Sequence, residues 1–167
     1  LAASTQGSKK IIAVDIIDHK LEFAKRLGAT HVINSIKSDF FSEIMKLTNN
    51  KGVDYAIEAA GRKETMEQAF QSVCNWGGKC IIAGNLPIGD KISIDPMDLI
   101  KGKKIVGTWG GETNPDEDIP NYVDWYLSGK MKLDKLITSD FKLRKISKAL
   151  SELENGEIIR VMINNLK

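Results

Sequence analysis

From Ile11 to Trp109, short apolar runs rich in isoleucine and valine alternate with stretches whose apolar residues recur at helical spacing. Strands that alternate with helices imply repeated βα units and therefore a parallel sheet clothed by helices. The pattern predicts strands at Ile11 to Val14, His31 to Ile33, Val53 to Ala59, Lys79 to Ala83 and Lys104 to Trp109. Helices are expected at Asp18 to Leu27, with Leu21, Ala24 and Leu27 on one face, and at Phe40 to Leu47, with Phe40, Ile44 and Leu47 inward. A third is lined by Met66, Ala69, Phe70 and Val73. Gly28 and the pair Gly77-Gly78 mark two of the helix ends. After Gly84 the rhythm loosens into a loop, NLPIGDKISIDP, with room for one short extended piece, and Met97 to Ile100 reads as a helical turn. GGETNPDEDIP is turn-rich, Tyr122 to Leu127 and Ile146 to Leu153 are helical, and Ile158 to Ile163 is a closing strand. A boundary near Gly110-Gly111 is expected, giving a first domain over residues 1–110 and a C-terminal segment over 111–167.

The first long strand ends in an acid. In IIAVDIIDHK, Asp15 follows four apolar residues, and a carboxylate at the carboxyl end of a parallel strand can accept hydrogen bonds from both hydroxyls of an adenosine ribose. Its charge repels a 2′-phosphate and so favours NAD over NADP. The competing reading is a helix cap, but Asp18 stands closer to the start of the apolar helix face at Leu21 and is the expected N-cap, which leaves Asp15 for a ligand. A dinucleotide site also needs a glycine-rich phosphate loop about 20 residues upstream of the acid. Only 14 residues, LAASTQGSKKIIAV, precede Asp15, and they hold one glycine. LAASTQ reads as the last turns of a helix before Gly7, and the front of a longer protein is expected to precede it.

Gly61 in EAAG and Gly84 in IIAGN each follow a strand, where small residues let a flat ring approach the backbone in the crevice outside the strand ends. Turn chemistry alone accounts for a single such glycine. Cys74 and Cys80 lie six apart, and neither His19 nor His31 falls at a metal-ligand spacing from them. They read as structural thiols and surface imidazoles. Lys103-Lys104 reads as a solvated strand start and Trp76 as a packing lid. No nucleophile elbow, HExxH or Walker loop occurs.

The bulk composition narrows the partners. The net charge of +2 comes from 24 basic and 22 acidic residues interleaved along 167 positions, so neither nucleic acid nor an anionic membrane is the expected partner. Two cysteines make no disulfide framework and no apolar run reaches 18 residues, which fits a cytoplasmic protein.

Five segments in register then carry a resemblance: IIAVDIIDHKLEFAKRLGATHVINS, VDYAIEAAGRKETMEQAF, GGKCIIAGN, IDPMDLIKGKKIVGTWGG and ENGEIIRVMI. Together they resemble the medium-chain, zinc-type alcohol dehydrogenases over nearly the whole chain. The resemblance implies an incomplete Rossmann domain, a doubly wound parallel sheet lacking its first strand and glycine loop, followed by the C-terminal tail of the catalytic, GroES-like domain. It implies NAD as cofactor, with zinc expected only in a full-length parent that oxidises an alcohol to an aldehyde or ketone. Asp15 then resembles the ribose acid, Ile16 sits beside the adenine, Lys20 contacts the ribose and Arg62 flanks the adenine pocket. Ala60, Ala83 and Asn85 line the dinucleotide groove, Thr108 and Trp109 meet the carboxamide through backbone groups, and Arg160 contacts the pyrophosphate. None of the family's catalytic or metal ligands falls in this stretch, so the isolated chain is expected to be inactive. A homodimer or higher homo-oligomer is also implied.

Two rival readings remain open: a methyltransferase, whose second strand also ends in a ribose acid, and a non-catalytic remnant that acts only in assembly. In a doubly wound sheet of order 3-2-1-4-5-6 the absent strand is the central one, between Ile11 to Val14 and Val53 to Ala59. Its loss leaves two edges of unpaired backbone groups. Three outcomes are expected: direct pairing of those strands, insertion of a segment from another copy, or a dimer that also uses the outer strand from Lys104.

Overall fold

The computed structural model describes residues 1–165. In chain order its elements are α1 (Ala2–Thr5), β1 (Ile12–Asp15), α2 (Asp18–Arg26), β2 (His31–Asn34), α3 (Phe40–Leu47), β3 (Tyr55–Glu58), α4 (Lys63–Ser72) and β4 (Lys79–Ile82). There follow α5 (Pro96–Ile100), β5 (Lys104–Gly107), α6 (Pro115–Leu127), β6 (Ser139–Lys142), α7 (Ile146–Glu154) and β7 (Val161–Asn164), with short 3-10 turns at Leu133–Leu136 and Leu143–Lys145. Two compact units result, one made of Leu1–Ile36 with Pro115–Lys167 and the other of Lys37–Asn114.

In the first unit β1 and β2 run parallel, in register from Ile12 opposite His31 to Asp15 opposite Asn34. The α2 helix crosses between them and buries Leu21, while Ile33 is buried from β2. Glycine stops α2 as expected: Gly28 N–H donates to Lys25 O at 3.1 Å and Ala29 N–H to Ala24 O at 3.0 Å, which closes the last carbonyls. The tail contributes a second parallel pair, β6 and β7, with α7 packed on both strands and Ala149 fully buried.

In the second unit β3, β4 and β5 form one parallel sheet whose registers bring Glu58, Ile82 and Gly107 level at the carboxyl edge. The apolar face of α4 covers one side of this sheet. Phe70, Val73 and Cys80 form its buried centre, with Val53, Ala56, Ala69, Ile82, Ile94 and Ile105 packed around them. Asp39 caps α3 by accepting the Ser42 amide at 2.8 Å, and hydrogen bonds from Ser42 hold its carboxyl below the usual aspartate range. On the opposite side of the sheet Tyr55, Ile57 and Val106 are exposed.

Several expectations need correcting. Helix α6 starts at Pro115 and takes in most of a stretch expected to be turns, because proline suits a first helical position and Asp116, Glu117 and Asp118 complement the positive end of the helix. The loop before α5 forms no strand, and β6 had no expected counterpart. Lys103 is buried, not solvated: its ammonium donates to Gln71 O at 2.9 Å, pairs with Asp98 Oδ2 at 3.2 Å and lies 5.8 Å from the Phe70 ring centre. Trp76 is no lid, since it is 84% exposed at a φ of 63°. Asp18 does not cap α2. Ile17 holds that position, and Asp18 instead accepts the Asn34 amide group at 2.7 Å. Among the described residues β1 pairs with β2 and β3 with β4, so direct pairing of β1 with β3, one of the three expected outcomes, is not seen.

Candidate functional site

The carboxyl ends of parallel strands are where open α/β sheets bind ligands, because successive loops diverge there. Three such loops leave the sheet of the second unit: Ala59–Arg62 after β3, Ala83–Asn85 after β4 and Thr108–Trp109 after β5. The first two are tied together at backbone level. A Cβ placed on Gly84 would stand 2.3 Å from Gly61 N and 2.6 Å from Gly61 Cα, and one on Gly61, whose φ is +70°, would stand 2.7 Å from Asn85 O. Only residues without a side chain permit that approach.

Glu58 organises the same two loops. It ends β3, is 4% exposed, and its Oε1 accepts the amides of Ala60 at 2.8 Å and Gly61 at 2.9 Å together with the Thr65 hydroxyl at 2.7 Å. Its backbone carbonyl accepts Ala83 N–H at 2.8 Å and Gly84 N–H at 3.0 Å. The other carboxylate oxygen, Oε2, is buried with no hydrogen-bond partner among the described residues. Sequence reading missed this residue. The available signal was a charged residue closing an apolar strand just before a small-residue turn.

The sequence-predicted residues divide between the two units. Ala60, Arg62, Ala83, Asn85, Thr108 and Trp109 all lie on the three strand-end loops of the second. Arg62 is exposed at the N-terminus of α4, with its Nε 3.8 Å from Glu64. Thr108 N–H continues the β4–β5 ladder to Ile82 O at 3.0 Å, its hydroxyl accepts Gly111 N–H at 2.9 Å, and Trp109 is 89% exposed.

In the first unit Asp15 closes β1 and is half-buried. Its Oδ1 accepts the amides of Ile16 at 2.7 Å and Ile17 at 3.0 Å, so Asp15 itself supports the strand-to-helix turn, and its Oδ2 takes no hydrogen bond among the described residues. Ile16 is half-exposed beside it. Lys20, on the first turn of α2, lies under the buried Gly156: a Cβ there, at a φ of +73°, would stand 3.3 Å from the Lys20 ammonium and 2.8 Å from Ile17 Cδ1. The tail thus packs against the helix start that follows the acid. Arg160 continues that segment with an exposed side chain, its backbone fixed by Thr138.

The family model for zinc-binding dehydrogenases matches residues 1–128. The chain belongs to that family. It is 36% identical over 160 residues to alcohol dehydrogenase-like 2 of Arabidopsis thaliana, covering 95% of this chain and 42% of that protein. It is 34% identical over 163 residues to the S-(hydroxymethyl)glutathione dehydrogenase of Paracoccus denitrificans, covering 94% and 44%. The crystal structure of benzyl alcohol dehydrogenase from Acinetobacter calcoaceticus superposes with a TM-score of 0.92 at 35% identity, covering 97% of this chain and 44% of that one.

The chain therefore spans less than half the length of these relatives and corresponds to the C-terminal, coenzyme-binding part of a zinc-type alcohol dehydrogenase. The fold is α/β, an incomplete doubly wound Rossmann domain. Family membership removes the methyltransferase alternative. Among the described residues no group of three or more histidine, cysteine, aspartate or glutamate side chains stands close enough to hold a metal, and Cys74 and Cys80 are free thiols. No helix among them is long and apolar enough to cross a membrane.

Proposed function

We propose that this chain is the coenzyme-binding portion of an NAD-dependent, zinc-type alcohol dehydrogenase, which as a whole protein oxidises an alcohol to an aldehyde or ketone. The observation that carries this reading is the state of Asp15. A half-buried carboxylate at the end of a parallel strand keeps Oδ2 unengaged, as an acceptor for ribose hydroxyls requires. Bound NAD would supply the hydride acceptor.

The residues of this chain bind and orient. Asp15 accepts from the adenosine ribose and repels a 2′-phosphate, Ile16 packs against the adenine, and Lys20 donates to the ribose. Arg160 offers a guanidinium fork to phosphate oxygens. For the second unit the family resemblance proposes Arg62 as flanking an adenine, Ala60, Ala83 and Asn85 as a groove wall, and backbone groups at Thr108 and Trp109 as carboxamide contacts. The donor set for zinc is not among the described residues, and no step of alcohol activation is assigned to them. A homo-oligomer is part of the proposal, since β5 pairs with β4 alone and leaves its other edge without a described strand.

The experiment is a nucleotide titration of the full-length protein followed by NADH fluorescence. NAD(H) should bind more tightly than its 2′-phosphorylated form, and Asp15→Ser should weaken it by about 10- to 100-fold, the equivalent of about 1.5–3 kcal/mol for a charge-assisted acceptor. Equal affinity for both nucleotides in the unmutated protein would overturn the assignment.

A further inference from the structure

We infer that Glu58 is a positioning residue for the nucleotide-facing loops: its buried carboxylate sets the geometry of Ala59–Arg62, the loop against which Ala83–Asn85 packs at Gly61 and Gly84, without touching the nucleotide itself. The inference rests on the proposed NAD site and adds to it a residue that sequence reading did not assign.

The geometry is that of a clamp. One residue gathers five donors, the amides of Ala60 and Gly61 and the Thr65 hydroxyl on Oε1, and the amides of Ala83 and Gly84 on its backbone carbonyl. The side-chain bonds fold the first loop back over the end of β3, and the main-chain bonds draw the second loop against it. Gly61 and Gly84 then meet with no room for a Cβ. An acceptor for three converging donors must be an oxygen with several lone pairs on a stem that reaches past one residue, which suits a glutamate.

A bland reading would make Glu58 a helix-start acceptor for α4 and nothing more. Against it, only Thr65 of its three side-chain donors belongs to α4, while Ala60 and Gly61 belong to the loop. The carboxylate is also sealed, with Oε2 in contact distance of a Cβ placed on Gly84 at 2.7 Å. A carboxylate buried with one oxygen unsatisfied is costly to keep, and a helix start alone needs only an exposed serine or aspartate.

The test pairs nucleotide affinity with amide exchange. In the full-length protein, Glu58→Ala should weaken NADH binding at least tenfold and speed hydrogen exchange at the Ala60 and Gly61 amides at least a hundredfold, with Phe70 unchanged. Glu58→Gln keeps an oxygen for the three donors and should stay within threefold of the parent on both measures. Val73→Ala, a change in the same core remote from the loops, should lower the melting temperature and leave NADH affinity within twofold. Thr65→Val removes one donor and decides the matter if Glu58→Ala does not fold: binding should fall about threefold, with faster exchange at Gly61.

Unchanged NADH affinity or unchanged loop exchange in Glu58→Ala, or in Thr65→Val when it must stand in, would overturn the inference. So would an equal loss in Val73→Ala, or a Glu58→Gln variant as weak as the alanine. If the unmutated protein binds no NADH, the functional reading above fails, and the exchange measurements still judge the clamp.

Discussion

Strands β1 and β3 both end in an acid, and the two acids have opposite fates. Asp15 gives one oxygen to the two amides that follow it and leaves the other unengaged, half-buried at the strand end. Glu58 is 4% exposed and spends one oxygen on three donors of its own chain, while its second is closed off behind Gly84. The extra methylene of glutamate lets the carboxylate turn back under the loop, whereas the short aspartate stays at the rim. A strand-terminal acid thus keeps an unengaged oxygen or becomes an internal fastener according to its reach and to whether a glycine lets another loop close over it.

The sharpest way to break this contrast is Gly84→Ala. A Cβ would stand 2.3 Å from Gly61 N and 2.7 Å from Glu58 Oε2, with backbone on one side and a locked carboxylate on the other, so the variant should lose about 3 kcal/mol in urea unfolding. A loss below about 1 kcal/mol would mean that the loops slide apart freely and that Glu58 fastens nothing.

A middle-sized effect is written in pH. Burial first, and the Glu58 carboxylate second, push the Cys80 thiol up from 9.0 to about 11. Below pH 9 both folded and unfolded chains keep the proton and stability is undiminished. Between pH 9 and 11 the unfolded chain ionises while the folded one does not, so stability should fall by about 2 kcal/mol. Cys80→Ala should remove this alkaline loss, and Glu58→Gln should reduce it. Parallel stability profiles of the parent and Cys80→Ala over that range would contradict the burial of the thiol beside a charge.

The smallest expected effect is at the other acid. Asp15→Asn keeps a carbonyl oxygen for Ile16 and Ile17 and should change unfolding stability by no more than about 0.5 kcal/mol. A loss comparable to that of Gly84→Ala would show that Asp15 is a fastener too.

Much of the frame was legible because its residues declare their period. Helix α3 runs over Phe40–Leu47 as expected, and α2 and β4 differ from expectation by one residue each at their ends. The apolar runs expected as strands at Ile11 to Val14 and Val53 to Ala59 announced the parallel strands found at Ile12–Asp15 and Tyr55–Glu58. What was not legible followed from tertiary context. Lys103 looked like a solvated charge until the structure placed Asp98, Gln71 O and the Phe70 ring around its ammonium. Strand β6, SDFK, carries two charges in four residues and gives no apolar pattern to read. NPDEDIP spells both a turn and a helix start, and only the continuation through Tyr122 to Leu127 separates the two. At the candidate site, Asp15 could be found from its own strand. Glu58 could not, because its importance lies in donors from residues 60, 61 and 65 and in a glycine 26 positions away from it.

The placement of the tryptophans has a spectroscopic consequence. Trp76 and Trp109 are 84% and 89% exposed, and Trp125 is half-buried with the Lys130 ammonium 4.5 Å from its ring centre. Indoles so placed emit at long wavelength before any denaturant is added, so intrinsic fluorescence gives a shallow signal for unfolding. The same emission can test the proposed NAD site, since Trp109 stands at the carboxyl edge of β5 and NADH held as proposed would quench it by energy transfer.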